Sequence, residues 1–271
     1  MIEYSFDAQK QIDYTIQWIR KYFVENGNEN TKAIIGISGG KDSTIAAALL
    51  VRALGKDKVY GVLMPQGYQA DIDDAYVVCD ALGIDYTVIN IEPICSSLYD
   101  AIDANYGKLD DSIENNPTVA TNTPSRIRMT ILYAVAALVG GGRVCNTGNW
   151  SEKWIGYTTK YGDLAGDFAL LQDLTVREVL EVGHHLTEIP AYLIDKAPAD
   201  GMTGKTDEDN MGVTYNQIDD YILLDILPDV DTWRNMTQRH ERNKHKDCIS
   251  LPRPYAIGRK NKKHGGVFED F

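Results

Sequence analysis

The chain has 271 residues, 44% hydrophobic and 24% charged, ordinary values for a globular protein long enough to bury a large core. Its 39 acidic and 27 basic residues give a net charge of −12. That balance excludes a nucleic-acid-binding face over the whole molecule but leaves room for a local pocket for a small anion. No run of about 18 apolar residues predicts a membrane span, and the mixed polar N-terminus carries no signal-peptide pattern.

In chain order, Ile12, Ile16, Ile19 and Phe23 share one face of a predicted helix over 7–24. Ala33–Ile37 reads as a buried strand, 38–43 as a glycine turn, and Thr44–Leu54 as a helix. Val59–Met64 is a second strand, 71–82 a helix with an acidic first turn, and Tyr86–Ile91 a third strand. The stretch 107–124, with Pro117 and Pro124, reads as a surface loop. A helix over 126–139 stops at Gly140–Gly142, and Arg143–Thr147 is a fourth strand. Segments 148–170 and 196–212 look irregular, and irregular stretches of such length are usually functional. Between them 175–186 is helical, and two helical patterns and a basic tail follow. This alternation predicts an α/β fold in one domain over 1–271: a doubly wound parallel sheet with helices on both faces. Its ligand site belongs at the carboxyl ends of the strands. Four scattered cysteines (Cys79, Cys95, Cys145, Cys248) with no CxxC pair favour a reducing cytoplasmic setting over disulfides or zinc.

The motif with the most chemistry is Ser38-Gly39-Gly40-Lys41-Asp42-Ser43, between a strand and a helix. Paired glycines let the backbone approach a ligand, and the next helix offers unpaired N–H groups and a positive dipole end. Together they suit phosphate. Asp42 would repel a bare phosphate, so a bridging Mg²⁺ is its natural companion. The spacing fits neither GxxxxGK[ST] nor GxGxxG.

SGGxDS resembles the pyrophosphate loop of the ATP-pyrophosphatase superfamily. Further segments narrow the resemblance: Pro124-Ser125-Arg126-Ile127-Arg128-Met129, Asn146-Thr147-Gly148-Asn149, Ser151-Glu152, Gly156 to Asp163, Gly166-Asp167, Thr206-Asp207-Glu208 and His245-Lys246. Together they look like the ammonia-dependent NAD⁺ synthetase family. The resemblance implies an adenine nucleotide alpha hydrolase-like fold. It also implies a two-step amidation of deamido-NAD⁺, in which ATP adenylates the nicotinate carboxylate and ammonia then displaces AMP. It places ATP on Gly36, Ile37, Ser38, Gly39, Gly40, Lys41, Asp42, Ser43, Met64 and Thr147. Asp42 and Glu152 would hold Mg²⁺. Arg126, Lys160, Asp163, Asp167, His245 and Lys246 would contact deamido-NAD⁺, with Asp163 beside the ammonia site. Asp163, Asp42 and Glu152 are then the catalytic set. A homodimer with sites at the interface is implied as well.

The sequence departs from that pattern twice. Val176 stands where the family usually has an ATP-contacting lysine, and Lys196-Ala197-Pro198-Ala199-Asp200 is one residue short of the usual loop. Lys205, where glutamine is usual, is the candidate replacement for the lost phosphate charge. Arg177 points about 100° away from Val176 on a helix and is a poor substitute. Only about 32 residues precede the first strand, too few for a glutaminase domain, which points to free ammonia or ammonia from a separate protein. The rival readings are another ATP-pyrophosphatase with a different acceptor, or a non-catalytic nucleotide-binding relative. His184-His185 reads as helix surface, and the roles of Trp150, Trp154, Tyr157 and Tyr161 stay open between packing and stacking.

Overall fold

The computed structural model describes residues 4–69, 72–106, 116–196, 206–247 and 250–257. Five strands form one parallel sheet: β1 (Ala33–Gly36), β2 (Val59–Leu63), β3 (Asp85–Val88), β4 (Arg143–Asn146) and β5 (Phe168–Ala169). Their order is β3-β2-β1-β4-β5. The chain winds outward from β1 in one direction, then returns to β1's other edge for β4. Such a reversal opens a crevice at the carboxyl ends of the two central strands.

Alternate residues of each strand face opposite layers, as the two-residue period requires. Ala33 and Ile35 pack with α1 (Ala8–Asn26), α2 (Lys41–Leu54), α3 (Ile72–Leu82), α7 (Val176–His184) and α8 (Ala191–Asp195). Ile34, Val62 and Val144 instead meet α4 (Glu92–Tyr106) and α5 (Pro117–Leu138) on the other face. Helices therefore cover both faces, as the sequence predicts. A third apolar cluster joins α6 (Trp150–Ile155) and α7 to α9 (Asp207–Met211), α10 (Tyr215–Leu224) and α11 (Val230–Asn243), around Trp154, Val176, Met211, Ile218 and Met236. Among the described residues no helix is long and apolar enough to cross a membrane.

Several local expectations are corrected. α2 begins at Lys41, so Lys41, Asp42 and Ser43 occupy its first turn rather than a loop. The second half of the expected 107–124 loop is helix. Asn116 caps α5 by accepting from the N–H groups of Thr118 and Val119, Pro117 takes the first helical position, and Pro124 lies inside. Proline at that first position costs no hydrogen bond, whereas Pro124 forfeits one. The segment 148–170 contains α6 and β5, six and two residues long, too short to reveal a period.

Candidate active site

The carboxyl end of β1 runs into the glycine turn. Gly39 has φ +78°, and a Cβ there would lie 2.8 Å from Asp74 Cβ and 2.9 Å from Ala75 N at the start of α3. Both the conformation and the close approach require glycine. Ser38 Oγ accepts from Gly40 N at 3.2 Å and sits 3.1 Å from Ser43 Oγ, which in turn donates to Gly40 O. Gly40 is the α2 N-cap and brings no side chain to it. The first N–H groups of α2 are thus left for a ligand at the positive end of the helix.

Across the crevice, β4 delivers Asn146. Its Nδ2 donates to the carbonyls of Asp163 and Ala165, and its Oδ1 accepts from Gly148 N. One buried amide so shapes both loops beyond β4. Asn149 then starts α6 with a reciprocal cap: its Oδ1 accepts from Glu152 N, and Glu152 Oε2 accepts from Asn149 N. Asn149 Nδ2 also donates to Asp42 Oδ1 at 3.1 Å. Glu152 is pushed well above the usual carboxylate range by burial and then by the neighbouring Asp42 charge, with Lys41 opposing.

Lys41 lies between these acids with its side chain 3% exposed. Its Nζ is 2.7 Å from Asp42 Oδ2 and 5.7 Å from the Tyr215 ring centroid. Burial pulls its pKa down, but Asp42, Glu152 and Asp207 more than restore it, and the ammonium is held charged. Tyr215 OH donates to Asp207.

The turn and the paired carboxylates line a single cavity of about 890 Å³. Gly36, Ile37, Ser38, Gly40, Lys41, Asp42, Ser43, Met64, Thr147, Glu152, Asp163 and Lys246 all border it. Asp163 Oδ1 accepts from Thr159 N (2.7 Å) and Ser125 Oγ (2.9 Å). Desolvation raises its pKa against the pull of hydrogen bonds from Thr159, Ser125 and its own backbone. Lys246 donates to the carbonyls of Gly156 and Thr158 and so pins the loop after α6.

The remaining expected residues stand elsewhere. Exposed Arg126 donates to the Lys160 carbonyl, and Lys160 lies over the Tyr161 ring. Asp167 is turned to the sheet, where its carboxylate accepts from Val144 N at 2.7 Å. Exposed His245 meets the Arg242 carbonyl. Lys205 and the shortened loop at 197–200 lie outside the described residues. Val176 gives its N–H to Ser151 Oγ and buries its side chain, while Arg177 pairs with Asp220 and faces away from the cavity. His184 pairs with Asp195 on the surface. Trp154 packs, stacked on His240, whereas Tyr157 borders the cavity.

Sequence reasoning passed over four participants. Arg128 borders the cavity with its Nε donating to the Met64 carbonyl, and burial lowers its pKa. Lys196 reaches Asp74 at 2.7 Å beside the glycine turn. Asn149 and Asp207 join the charge cluster. Arg128 sits two residues after Arg126 in one motif, but helix geometry alone did not say which faces inward. The Asn149–Glu152 spacing is a capping-box signal that could have been read.

The comparisons agree with this geometry. The NAD synthase family model matches residues 11–249. The chain belongs to the NAD synthase family. The NH(3)-dependent NAD(+) synthetase of Pyrococcus horikoshii is 39% identical over 217 residues, covering 80% of this chain and 78% of that one. Among solved structures, NMN synthetase from Francisella tularensis superimposes with a TM-score of 0.79 at 30% identity, covering 91% of this chain and 98% of that one. NAD⁺ synthetase from Burkholderia pseudomallei gives a TM-score of 0.71 at 27% identity, covering 92% and 93%. A family of ATP-consuming C–N ligases suits a cavity with a phosphate turn carrying Asp42 on one wall and Glu152 on the other.

Proposed function

We propose that this NAD synthase family member amidates deamido-NAD⁺ with ammonia at the expense of ATP, releasing NAD⁺, AMP and pyrophosphate. The observation that carries the reading is one cavity holding both a phosphate turn and the Asp42–Glu152 pair, in a chain matched by the family over most of its length. A carboxylate is a poor acyl donor, and transferring AMP to it creates a good leaving group. The α2 N-terminus and the Ser38–Ser43 hydroxyls receive the ATP phosphates, orienting the α-phosphorus toward the incoming carboxylate. Oriented N–H donors also stabilise the charge that develops on pyrophosphate as it leaves. Asp163, a carboxylate bordering the cavity, is suited to hold ammonium next to the activated carbonyl.

The Asp42–Glu152 donor set in the cavity lining fits Mg²⁺. Asp42 and Glu152 are hard carboxylates that both border the cavity, and each feels the other's charge. The remaining ligands would be phosphate oxygens and water, so Asp42 and Glu152 would hold the ion together with ATP. Bound there, Mg²⁺ would neutralise phosphate charge.

Lys205 is proposed as a further phosphate contact, with Lys205→Ala expected to raise the ATP KM tenfold or more. A homodimer is proposed too. His245 lies on the surface and does not line this chain's own cavity, which suits service to a second copy. Light scattering should return twice the chain mass.

The decisive assay combines ATP, Mg²⁺ and deamido-NAD⁺ with ammonium chloride, glutamine or no nitrogen donor. NAD⁺ with matching AMP from ammonium alone is expected. No NAD⁺ under any condition, with ATP binding intact, would overturn the acceptor. A second reading has its own support, the higher TM-score with the Francisella NMN synthetase. On that reading the acceptor is nicotinic acid mononucleotide. Comparing kcat/KM for the two acceptors in the same assay separates the readings.

A further inference from the structure

Lys41 is the feature that the proposed reaction does not explain. A lysine in the first turn of a helix meets the positive end of the dipole, an unfavourable place for a cation. Here the side chain is also nearly excluded from water, at 3% exposure. Long cationic side chains seldom accept such burial unless paired. The partners are specific and come from four elements. Asp42 lies on α2 itself, Glu152 comes from α6, Asp207 from α9, and the face of Tyr215 from α10. Lys41 therefore supplies a positive charge in contact with Asp42 and within electrostatic reach of Glu152 and Asp207.

Two of those carboxylates are the proposed ligands of the divalent ion, so this inference rests on that reading. Lys41 Nζ contacts Asp42 Oδ2 while Asn149 holds Oδ1. Both oxygens of Asp42 are thus engaged before any ion arrives. Ammonium and a divalent cation then compete for one carboxylate, and the outcome depends on what else the ion brings. A free ion would displace part of a buried ion pair and gain only two carboxylates. An ion arriving on ATP adds phosphate oxygens to its shell and lets the α2 N-terminus receive the phosphates.

We propose that Lys41 is a built-in cation that stands in for metal charge in the empty site. It pairs with Asp42, offsets the charges of Glu152 and Asp207, and keeps metal affinity low until ATP delivers the ion. Once the ion takes Asp42, the ammonium remains beside Glu152 and Asp207 as a second positive charge near the phosphates. Lys41 is a positioning residue in this scheme, acting through the carboxylates.

The test measures Mn²⁺ binding to nucleotide-free full-length protein by electron paramagnetic resonance of the free ion at pH 8. Circular dichroism checks folding in parallel. Lys41→Met should bind Mn²⁺ at least tenfold more tightly than the native chain, and its melting temperature should become metal-dependent. Lys41→Arg, which keeps the charge, should stay within about threefold of native. Unchanged or weaker Mn²⁺ binding in folded Lys41→Met overturns the proposal. If Lys41→Met does not fold, Lys41→Met/Asp207→Asn removes one cation and one anion together. Tighter Mn²⁺ binding by that variant supports the proposal, and no gain overturns it. A separate arm tests the underlying reading: with α,β-methylene-ATP bound, Asp42→Asn should weaken Mn²⁺ binding. No change there overturns the Asp42–Glu152 metal pair itself, an outcome distinct from a null result for Lys41.

Discussion

Asn149 donates from its side-chain amide to Asp42, joining the first turn of α6 to the first turn of α2. The same amide group caps Glu152, so one residue sets the separation of both acids. Asn149→Ala should lose the cap, about 1–2 kcal/mol of stability, and kcat/KM should fall by about a hundredfold as the pair loses register. Asn149→Asp keeps the capping oxygen but sets a charge against Asp42. It should cost less stability than Asn149→Ala while still impairing turnover. Urea denaturation and steady-state kinetics on both variants check this.

Gly39→Ala should be severe. The residue must hold φ +78° while its new methyl meets Asp74 and Ala75. Backbone strain and overpacking together cost about 2–4 kcal/mol. If the chain relaxes instead, the turn shifts and ATP binding weakens. Calorimetric melting and ATP titration should show at least one of these losses.

Asp163→Asn probes the ammonium site. The variant keeps an oxygen for Thr159 N and Ser125 but loses the charge that would attract ammonium. KM for ammonium should rise tenfold or more, about 1.4 kcal/mol, with the ATP KM within twofold. Initial rates at varied ammonium and fixed ATP provide the measurement. Equal rises for both substrates would point to a collapsed wall instead.

Asp219 predicts a pH effect on stability. Burial raises its pKa to about 6, although Ser151 Oγ and Arg177 N donate to its two oxygens. Between its ordinary pKa of 3.8 and about 6 the folded chain binds the proton that the unfolded chain has released. Its contribution is therefore fully present below the ordinary value and is lost as pH rises through about 6. Asp219→Asn has no such proton to lose. Relative to the native chain, it should gain about 1–3 kcal/mol between pH 4 and pH 7. Guanidinium unfolding of both proteins at the two pH values tests the difference.

The phosphate turn was legible because its demands are local: a buried strand, two glycines and a helix are all written within a few residues. The layer order was legible from strand and helix periods. The helical nature of 117–125 was not, because Pro117 and Pro124 signal breaks unless Asn116 is recognised as a cap. α6 was missed because six residues cannot display a period. Tertiary facing was beyond reach as well. Nothing in the spacing says that Arg128 borders the cavity while Arg126 faces outward, or that Asp167 spends its carboxylate on Val144 N. Lys41 looked like one more residue of a phosphate loop. Only the convergence of α6, α9 and α10 on it reveals an interior cation.

The cavity is also a statement about time. Its phosphate turn follows β1, near the start of the chain, yet the loop after α6 is fastened by Lys246, which lies beyond α11. β1 itself must wait for β4 to arrive before its second edge is paired. On a ribosome that turn emerges before β4 and α6, so it has no opposing wall until those elements follow it. Contacts of such long sequence separation form slowly. A nascent chain can therefore display a nucleotide-seeking turn before the wall that completes the cavity has been made.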